Sequence, residues 1–312
     1  MIYEYALEPE LVASWTDRRD CRYYMTSFGY DHGRVVSRFP RHWKKLVWQA
    51  FGSTDDLARQ RIEVLLACLS DRMVKRGYAN WDPTSASWLE NAEREHQRLP
   101  FHAILARTNP RSHPVVLTDA DLEEDDDGRW AVKRDRFVVR NTEEMANAVA
   151  PLLQYSSQVL FIDPYFSPER LSHRRPLEAF LERLVRLGIS DPPQRVEVYT
   201  AEKKEENFFR RECETKLPQC IPEGMRVRFR RLRQRADGEK FHNRYILTDL
   251  AGVFFGIGLD EGAEGETDDV MLMGRELYEK RWSQYSGDPP VGFDQDGEPF
   301  VVLGARKLEG KR

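Results

Sequence analysis

Val159-Leu160-Phe161-Ile162 is an unbroken apolar run that ends in Asp163-Pro164-Tyr165-Phe166. A strand with one wet face alternates apolar and polar residues. A strand apolar at every position must be covered on both faces, which is the situation of a central strand in a layered α/β sheet. The flanking chain agrees. Thr142 is placed to cap a helix through Met145, Val149, Leu152 and Leu153, and a second helix carries Leu177, Phe180, Leu181 and Leu184 and stops at Gly188. Val196-Glu197-Val198-Tyr199 reads as the next strand, followed by a charged helix near 203–217, the strand Arg226–Arg230, a hairpin over 242–257 and a helix near 274–285. This alternation predicts an α/β fold from about 141 to 312, with a mixed, mostly parallel sheet flanked by helices and an antiparallel part at the hairpin.

The preceding chain reads differently. Residues 1–105 are expected to form a mainly helical domain. Its clearest element is a helix from Leu57 to Arg76, with Ile62, Leu65, Leu66, Leu69 and Met73 at helical spacing, a capping box at Ser53 and Asp56, and Gly77 as its stop. Trp43, Leu46, Val47, Trp48 and Phe51 suggest another helix, and the aromatics Trp15, Tyr23, Tyr24, Trp43, Trp48, Trp81 and Trp88 are expected in the core. Residues 106–140 are expected to be a connector of short strands holding an acidic loop from Asp119 to Asp127, seven carboxylates in nine residues. That run lacks the spaced ligands and turn glycines of a cation loop.

The four cysteines, Cys21, Cys68, Cys213 and Cys220, have no C-x-x-C spacing, so neither a disulfide scaffold nor a zinc site is expected. No run approaches a membrane-spanning length, and the first residues lack the layout of a secretion signal; a cytoplasmic protein without membrane partners is expected. The net charge of −4 is a near cancellation of 48 basic against 52 acidic residues, so the distribution of charge carries more information than its sum.

Seven histidines are present, and five of them (His32, His42, His96, His173 and His242) are followed two residues later by Lys or Arg. Only His242 also has an aspartate seven residues on, in His242-Asn243-Arg244-Tyr245-Ile246-Leu247-Thr248-Asp249. On a strand, positions i and i+2 share a face, so an imidazole and a guanidinium could grip one phosphate. A neutral imidazole is a suitable nucleophile toward an anionic diester, and the planar guanidinium fork matches phosphate oxygens. Asp249 would orient a histidine or pair with a cation. Upstream, 226–235 holds six arginines in ten residues. Arg226, Arg228 and Arg230 are expected on one face as a phosphate-binding wall, with a bulge or strand end at Arg231-Leu232. Asp163 and Tyr165, at the carboxyl end of the apolar strand, are expected to face His242.

The H-x-R-x-x-x-x-D run resembles the signature of the phospholipase D superfamily, H-x-K-x-x-x-x-D, with a Gly-Ser-type turn six residues later. Here six residues, Leu250 to Phe255, separate Asp249 from Gly256-Ile257-Gly258-Leu259, and Asp260 follows. The apolar strand and its Asp-Pro-Tyr-Phe also resemble the opening strand of such domains, and the resemblance covers roughly 140–290. It departs in three ways: Arg244 replaces the lysine, the Ser and Asn of the turn are missing, and one motif is present rather than two. The resemblance implies a phospholipase D-like domain and metal-independent phosphodiester cleavage, with His242, Arg244 and Asp249 as catalytic residues and no cofactor. It also implies a homodimer in which the histidine of one copy attacks phosphorus and its symmetry mate protonates the leaving oxygen. The arginine strand points to nucleic acid, with DNA the expected polymer, rather than to a lipid headgroup. Arg226, Arg228, Arg230, Asp163, Tyr165 and Asp260 are the expected binding residues. Single-motif relatives in bacteria suggest restriction or anti-phage defence, with a partner protein. The departures leave open a second reading, a non-catalytic module that binds DNA or a partner within a larger complex.

Overall fold

A computed structural model describes the chain except residues 77–80, 85, 124–127, 186–192 and 309–312. It separates into two compact units, Ile2–Arg134 and Asp135–Arg312, the latter grouped with Met1. The boundary differs from the expected divisions near 105 and 140.

The first unit is not a helical domain. Its strands β1 (Tyr3–Leu7), β2 (Arg34–Ser37), β3 (Met73–Val74), β4 (Ala103–Leu105) and β5 (Val116–Leu117) form a parallel sheet in the order β3-β2-β1-β4-β5. The helices are α1 (Pro9–Ser14), α2 (Arg18–Ser27), α3 (Trp43–Ala50), α4 (Asp56–Ser70), α5 (Trp88–Arg98) and α6 (Asp119–Glu123). Successive residues of β1 point to opposite faces. Tyr5 and Leu7 join Trp15, Trp43, Ile62 and Leu65 on one face, while Ala6 joins Phe39, Trp88 and Ala92 on the other. The sheet is therefore covered on both sides, as parallel sheets require.

Local signals were displaced by tertiary ones. The helix expected to reach Arg76 ends at Ser70, and Met73-Val74 leaves it to pair with β2. The cap of α4 is Asp55, which accepts from the Leu57 N–H, rather than a Ser53–Asp56 box. The acidic tract begins as α6; Glu124–Asp127 and the stops at Gly77 and Gly188 lie outside the described residues. Of the expected core aromatics, Trp15 and Trp43 are fully buried, but Tyr23 is 44% exposed.

The second unit carries β6 (Asp135–Val139), α7 (Thr142–Tyr155), β7 (Gln158–Ile162), α8 (Leu171–Leu184), β8 (Arg195–Ala201), α9 (Glu206–Lys216), β9 (Arg226–Gln234), β10 (Arg244–Thr248), β11 (Gly252–Phe255), β12 (Thr267–Leu272), α10 (Arg275–Ser286), β13 (Phe293–Gln295) and β14 (Phe300–Leu303). Nine strands form one sheet in the order β13-β9-β8-β7-β10-β11-β12-β6, with β14 also on β9. Only β7, β8 and β9 run parallel to one another; the other pairings are antiparallel, so this sheet is mixed rather than mostly parallel. The cap of α7 is Asn141, whose side chain accepts from Glu144 N at 2.9 Å, one residue before the expected Thr142. On one face Phe161 stacks on Phe180 of α8. On the other, Leu160, Ile162, Tyr199, Tyr245 and Leu247 pack with Tyr285 of α10. The apolar run of β7 is thus buried on both faces.

In the first unit Arg76, with its side chain 1% exposed, bonds Glu4 of β1 at 2.8 Å and Glu95 of α5 at 2.7 Å. Removing one partner of such a buried pair leaves the other charges uncompensated. Arg76→Ala is expected to lower unfolding free energy by about 3 kcal/mol or more. A urea titration checks this; an unchanged midpoint would show that the cluster does not hold α5 to the sheet.

Candidate active site

One edge of the second sheet gathers most of the candidate residues. The carboxyl ends of β7 and β8, the start of β10, the turn after β11 and the end of β6 all lie there, because β10 runs antiparallel to β7 and β6 antiparallel to β12. Tyr245 pairs with Ile162, so Arg244 falls beside Asp163. In β10, Tyr245 and Leu247 point toward α10, which leaves Arg244 on the α8 side with Asp163.

Arg244 Cζ lies 4.5 Å from the centre of the Tyr165 ring, and Lys203, just past β8, places Nζ 3.2 Å from the same ring. Tyr165 is 44% exposed. Two cations therefore meet on one accessible aromatic. Arg244 Nε is buried with no hydrogen-bond partner. His242 is exposed and sits outside the strand, its Nδ1 3.1 Å from the Lys240 carbonyl oxygen. A carbonyl can only accept, so this bond requires the proton on Nδ1 and leaves the Nε2 lone pair bare in the neutral ring.

Beneath this surface lies a buried acid–base cluster. Asp163 is 2% exposed; one carboxylate oxygen accepts from Tyr165 N at 2.8 Å, and the other has no partner. Burial raises its pKa, against the Tyr165 N–H, His173 and Arg244, which favour the anion. His173, in the first turn of α8, is 3% exposed and places Nε2 3.9 Å from Asp260. Burial lowers its pKa, against the pull of Asp163 and Asp260. Asp260 in turn accepts from Arg140 at 2.8 Å, and Arg140 also bonds Glu266 at 2.9 Å. Asp260 is thus a partner of buried groups and not a free substrate ligand. His173 matches the H-x-R pattern that five histidines share, so its spacing gave no reason to single it out; its position is set by tertiary packing. Lys203, Arg140 and Glu266 carried no motif at all.

The turn after β11 is tightly built. Asp268, 2% exposed, accepts from Ile257 N at 3.0 Å and from Gly258 N at 3.4 Å. A Cβ on Gly256 would come within 2.9 Å of the same carboxylate. These N–H groups are therefore spent on Asp268 and do not face a ligand.

Two sets of expected residues are elsewhere. Asp249 lies past the opposite end of β10, roughly 17 Å from Arg244 at 3.4 Å per residue. It accepts from Ser157 N at 2.9 Å, Ser157 Oγ at 2.5 Å and Gln158 N at 3.0 Å, and among the described residues it orients no histidine and pairs with no cation. The arginine strand β9 is separated from β10 by β8 and β7, roughly 14 Å at one strand spacing each. It runs unbroken to Gln234 with no bulge at Arg231. Arg230 is buried against Glu197 at 2.8 Å and Asp288 at 3.0 Å, and Arg228 lies 3.6 and 3.5 Å from the same two. Arg231 and Arg233 pair with Asp296, and Arg235 pairs with Asp294. Arg226 is exposed and lies at the far, amino-terminal end of β9. A neutralised strand of this kind is not a phosphate-binding wall.

Asp249→Ala should lower unfolding free energy by about 2 kcal/mol, since three donors lose a charged acceptor. Asp249→Asn, which keeps one acceptor oxygen, should recover part of that in the same denaturant titration. His173 has a folded pKa below its unfolded value of about 6.5, so the unfolded chain binds more protons. Its contribution to stability is complete above pH 6.5 and lost as pH falls through the folded pKa. Asp163 acts with the opposite sign at its own titration, so the test is a difference: the stability of the wild type relative to His173→Gln, followed from pH 7.5 down to 5, should shrink. A constant difference would show that the imidazole titrates normally.

No family model matches the chain, and no curated protein matches it. One solved structure with weak similarity is that of TrmBL2, an archaeal chromatin protein that shows a novel mode of DNA binding. It is 15% identical, with a TM-score of 0.27, over 80% of this chain and 87% of that one. At that TM-score the similarity carries no argument about fold or function.

Proposed function

We propose that the second unit is a phosphodiesterase of phospholipase D type that acts on nucleic acid, with DNA as the expected polymer. The observation that carries this reading is the placement of His242, exposed with Nδ1 3.1 Å from the Lys240 carbonyl oxygen, two residues from a guanidinium with an unpartnered Nε. Nε2 attacks phosphorus while Arg244 and Lys203 hold non-bridging oxygens. The P–Nε2 bond forms, the P–O bond to the leaving nucleotide breaks, and that oxygen takes a proton from an acid. Water then attacks the phosphohistidine, gives up a proton to the same group acting as base, and releases Nε2. Among the described residues no carboxylate or second imidazole bonds His242, so in this reading the acid is His242 of a second copy and the working form is a homodimer. A setting in restriction or phage defence, with a partner protein, rests on the resemblance alone.

A binding module without turnover is the second reading. It is favoured by the turn after β11, whose N–H groups are occupied by Asp268 and which has no Ser or Asn to offer a phosphate.

Incubation with plasmid, single-stranded DNA and RNA in EDTA separates the two. A nuclease should cleave under these conditions, lose on the order of 10³-fold or more in rate in His242→Ala, and keep its affinity. Arg244→Lys should retain more rate than Arg244→Ala. Cleavage that requires added magnesium, or that survives His242→Ala, would sink the mechanism; binding without any cleavage would leave the second reading.

A further inference from the structure

The first unit carries cations that its carboxylates leave open. Along α2, Arg18, Arg22 and Thr26 recur every four residues and so form one exposed stripe, with Arg19 and Tyr23 beside it. These five residues line a shallow, largely open depression of about 510 Å³ on this face of α2. Neither the Arg18 nor the Arg22 guanidinium forms a hydrogen bond or ion pair with any described residue. The contrast with β9 is sharp, because there every arginine from Arg228 to Arg235 has a carboxylate.

The acidic neighbours on α2 are engaged. Asp17 spends its side chain capping the helix, accepting from Arg19 N at 2.6 Å and Asp20 N at 3.0 Å. Arg19 lies in the field of Asp17 and Asp20 and is partly compensated. Arg18 and Arg22 are the pair without a carboxylate partner among the described residues, about 6 Å apart along the helix axis at 1.5 Å per residue. Beside them the Tyr23 ring is held in place: its hydroxyl accepts from Trp130 Nε1 at 2.9 Å, and Tyr24 packs edge-on at 5.1 Å.

We propose that this depression is a binding site for single-stranded nucleic acid, with Arg18 and Arg22 on successive backbone phosphates and Tyr23 as a surface for a base. Guanidinium forks match phosphate oxygens, and an exposed fixed aromatic beside a line of cations is the arrangement that tracks an unpaired strand. The depression is shallow and largely open to solvent, which gives a small anion little enclosure. A nucleotide chain supplies a ring with every charge, whereas a run of acidic residues supplies the charge alone. The site lies within the first unit and does not depend on the activity proposed for His242.

The test uses the full chain in a His242→Ala background, so that the probe stays intact. Binding of a fluorescein-labelled single-stranded oligonucleotide is followed by anisotropy in EDTA over a salt series. Arg18→Ala with Arg22→Ala should weaken binding on the order of tenfold and reduce the slope of log K against log salt by about 1.4, the value for two lost phosphate contacts on a single strand. The double lysine variant should restore the slope. Tyr23→Leu should weaken binding and leave the slope unchanged, because stacking releases no counterions. These side chains are exposed, and an unchanged melting curve confirms that each variant is folded. Unchanged affinity and slope in the double alanine variant would overturn the proposal, as would tighter binding of a polyglutamate peptide, or of duplex, than of the single strand. Hydrolysis of bis(p-nitrophenyl) phosphate by the chain with His242 intact spans one phosphate and reads the other site alone, so failure of either idea is seen separately.

Discussion

The register between β10 and β7 is the constraint on which the rest of the second unit depends. Tyr245 faces Ile162 and Thr248 faces Val159, and the far end is pinned by three hydrogen bonds from Ser157 and Gln158 to the Asp249 carboxylate. A slip of one residue would turn Tyr245 and Leu247 out of the core under α10 and drive Arg244 into it. The locked register instead sets Arg244 beside Asp163 at the opposite edge, within reach of Tyr165. Asp249 thus contributes to the site without touching it: it fixes where the other end of the strand must be.

Pairing, rather than density, decides which cations are available. A buried guanidinium is tolerated only with a carboxylate to compensate it, and once compensated it has little left for a ligand. Arg230 illustrates the first half, sealed against Glu197 between β8 and β9. Arg244, Arg18 and Arg22 are the converse, since none of them bonds a carboxylate among the described residues. The densest basic segment of the chain is a structural element, and the accessible positive charge lies on residues scattered through both units.

This explains what could be read from the sequence. The central β7, the hairpin of β10 and β11, and the placement of Asp163, Tyr165 and Arg244 at one edge all follow from local pattern and from the rule that sites collect at strand carboxyl ends. The parallel sheet of the first unit did not, because its strands are two to five residues long and its central strand, Tyr3–Leu7, includes a glutamate that is satisfied by an arginine 72 residues away. Arg226–Arg235 alternated like a wet strand, yet the partners that neutralise it lie on β8 and in the segment after α10. His173 was indistinguishable from three other histidines until α8 placed it against Asp260, 87 positions along the chain. For β1, for β9 and for His173 alike, the missing information was a long-range partner of opposite charge.

Two properties of His242 belong together. It stands off the strand and is exposed, whereas Asp163 and His173 are buried and Asp260 is held by Arg140. A nucleophile that must also find a proton donor is then better served from outside its own chain than from within it. A two-fold assembly brings the same surface of each copy to the axis, so a residue exposed near that axis meets its own counterpart. In the proposed reading the two imidazoles divide the work, one with Nε2 bare and the other protonated, and a single exposed histidine held by one backbone carbonyl is sufficient equipment. The same exposure would serve no purpose in a catalyst complete within one chain, where the histidine would be expected to bond a buried acid such as Asp163.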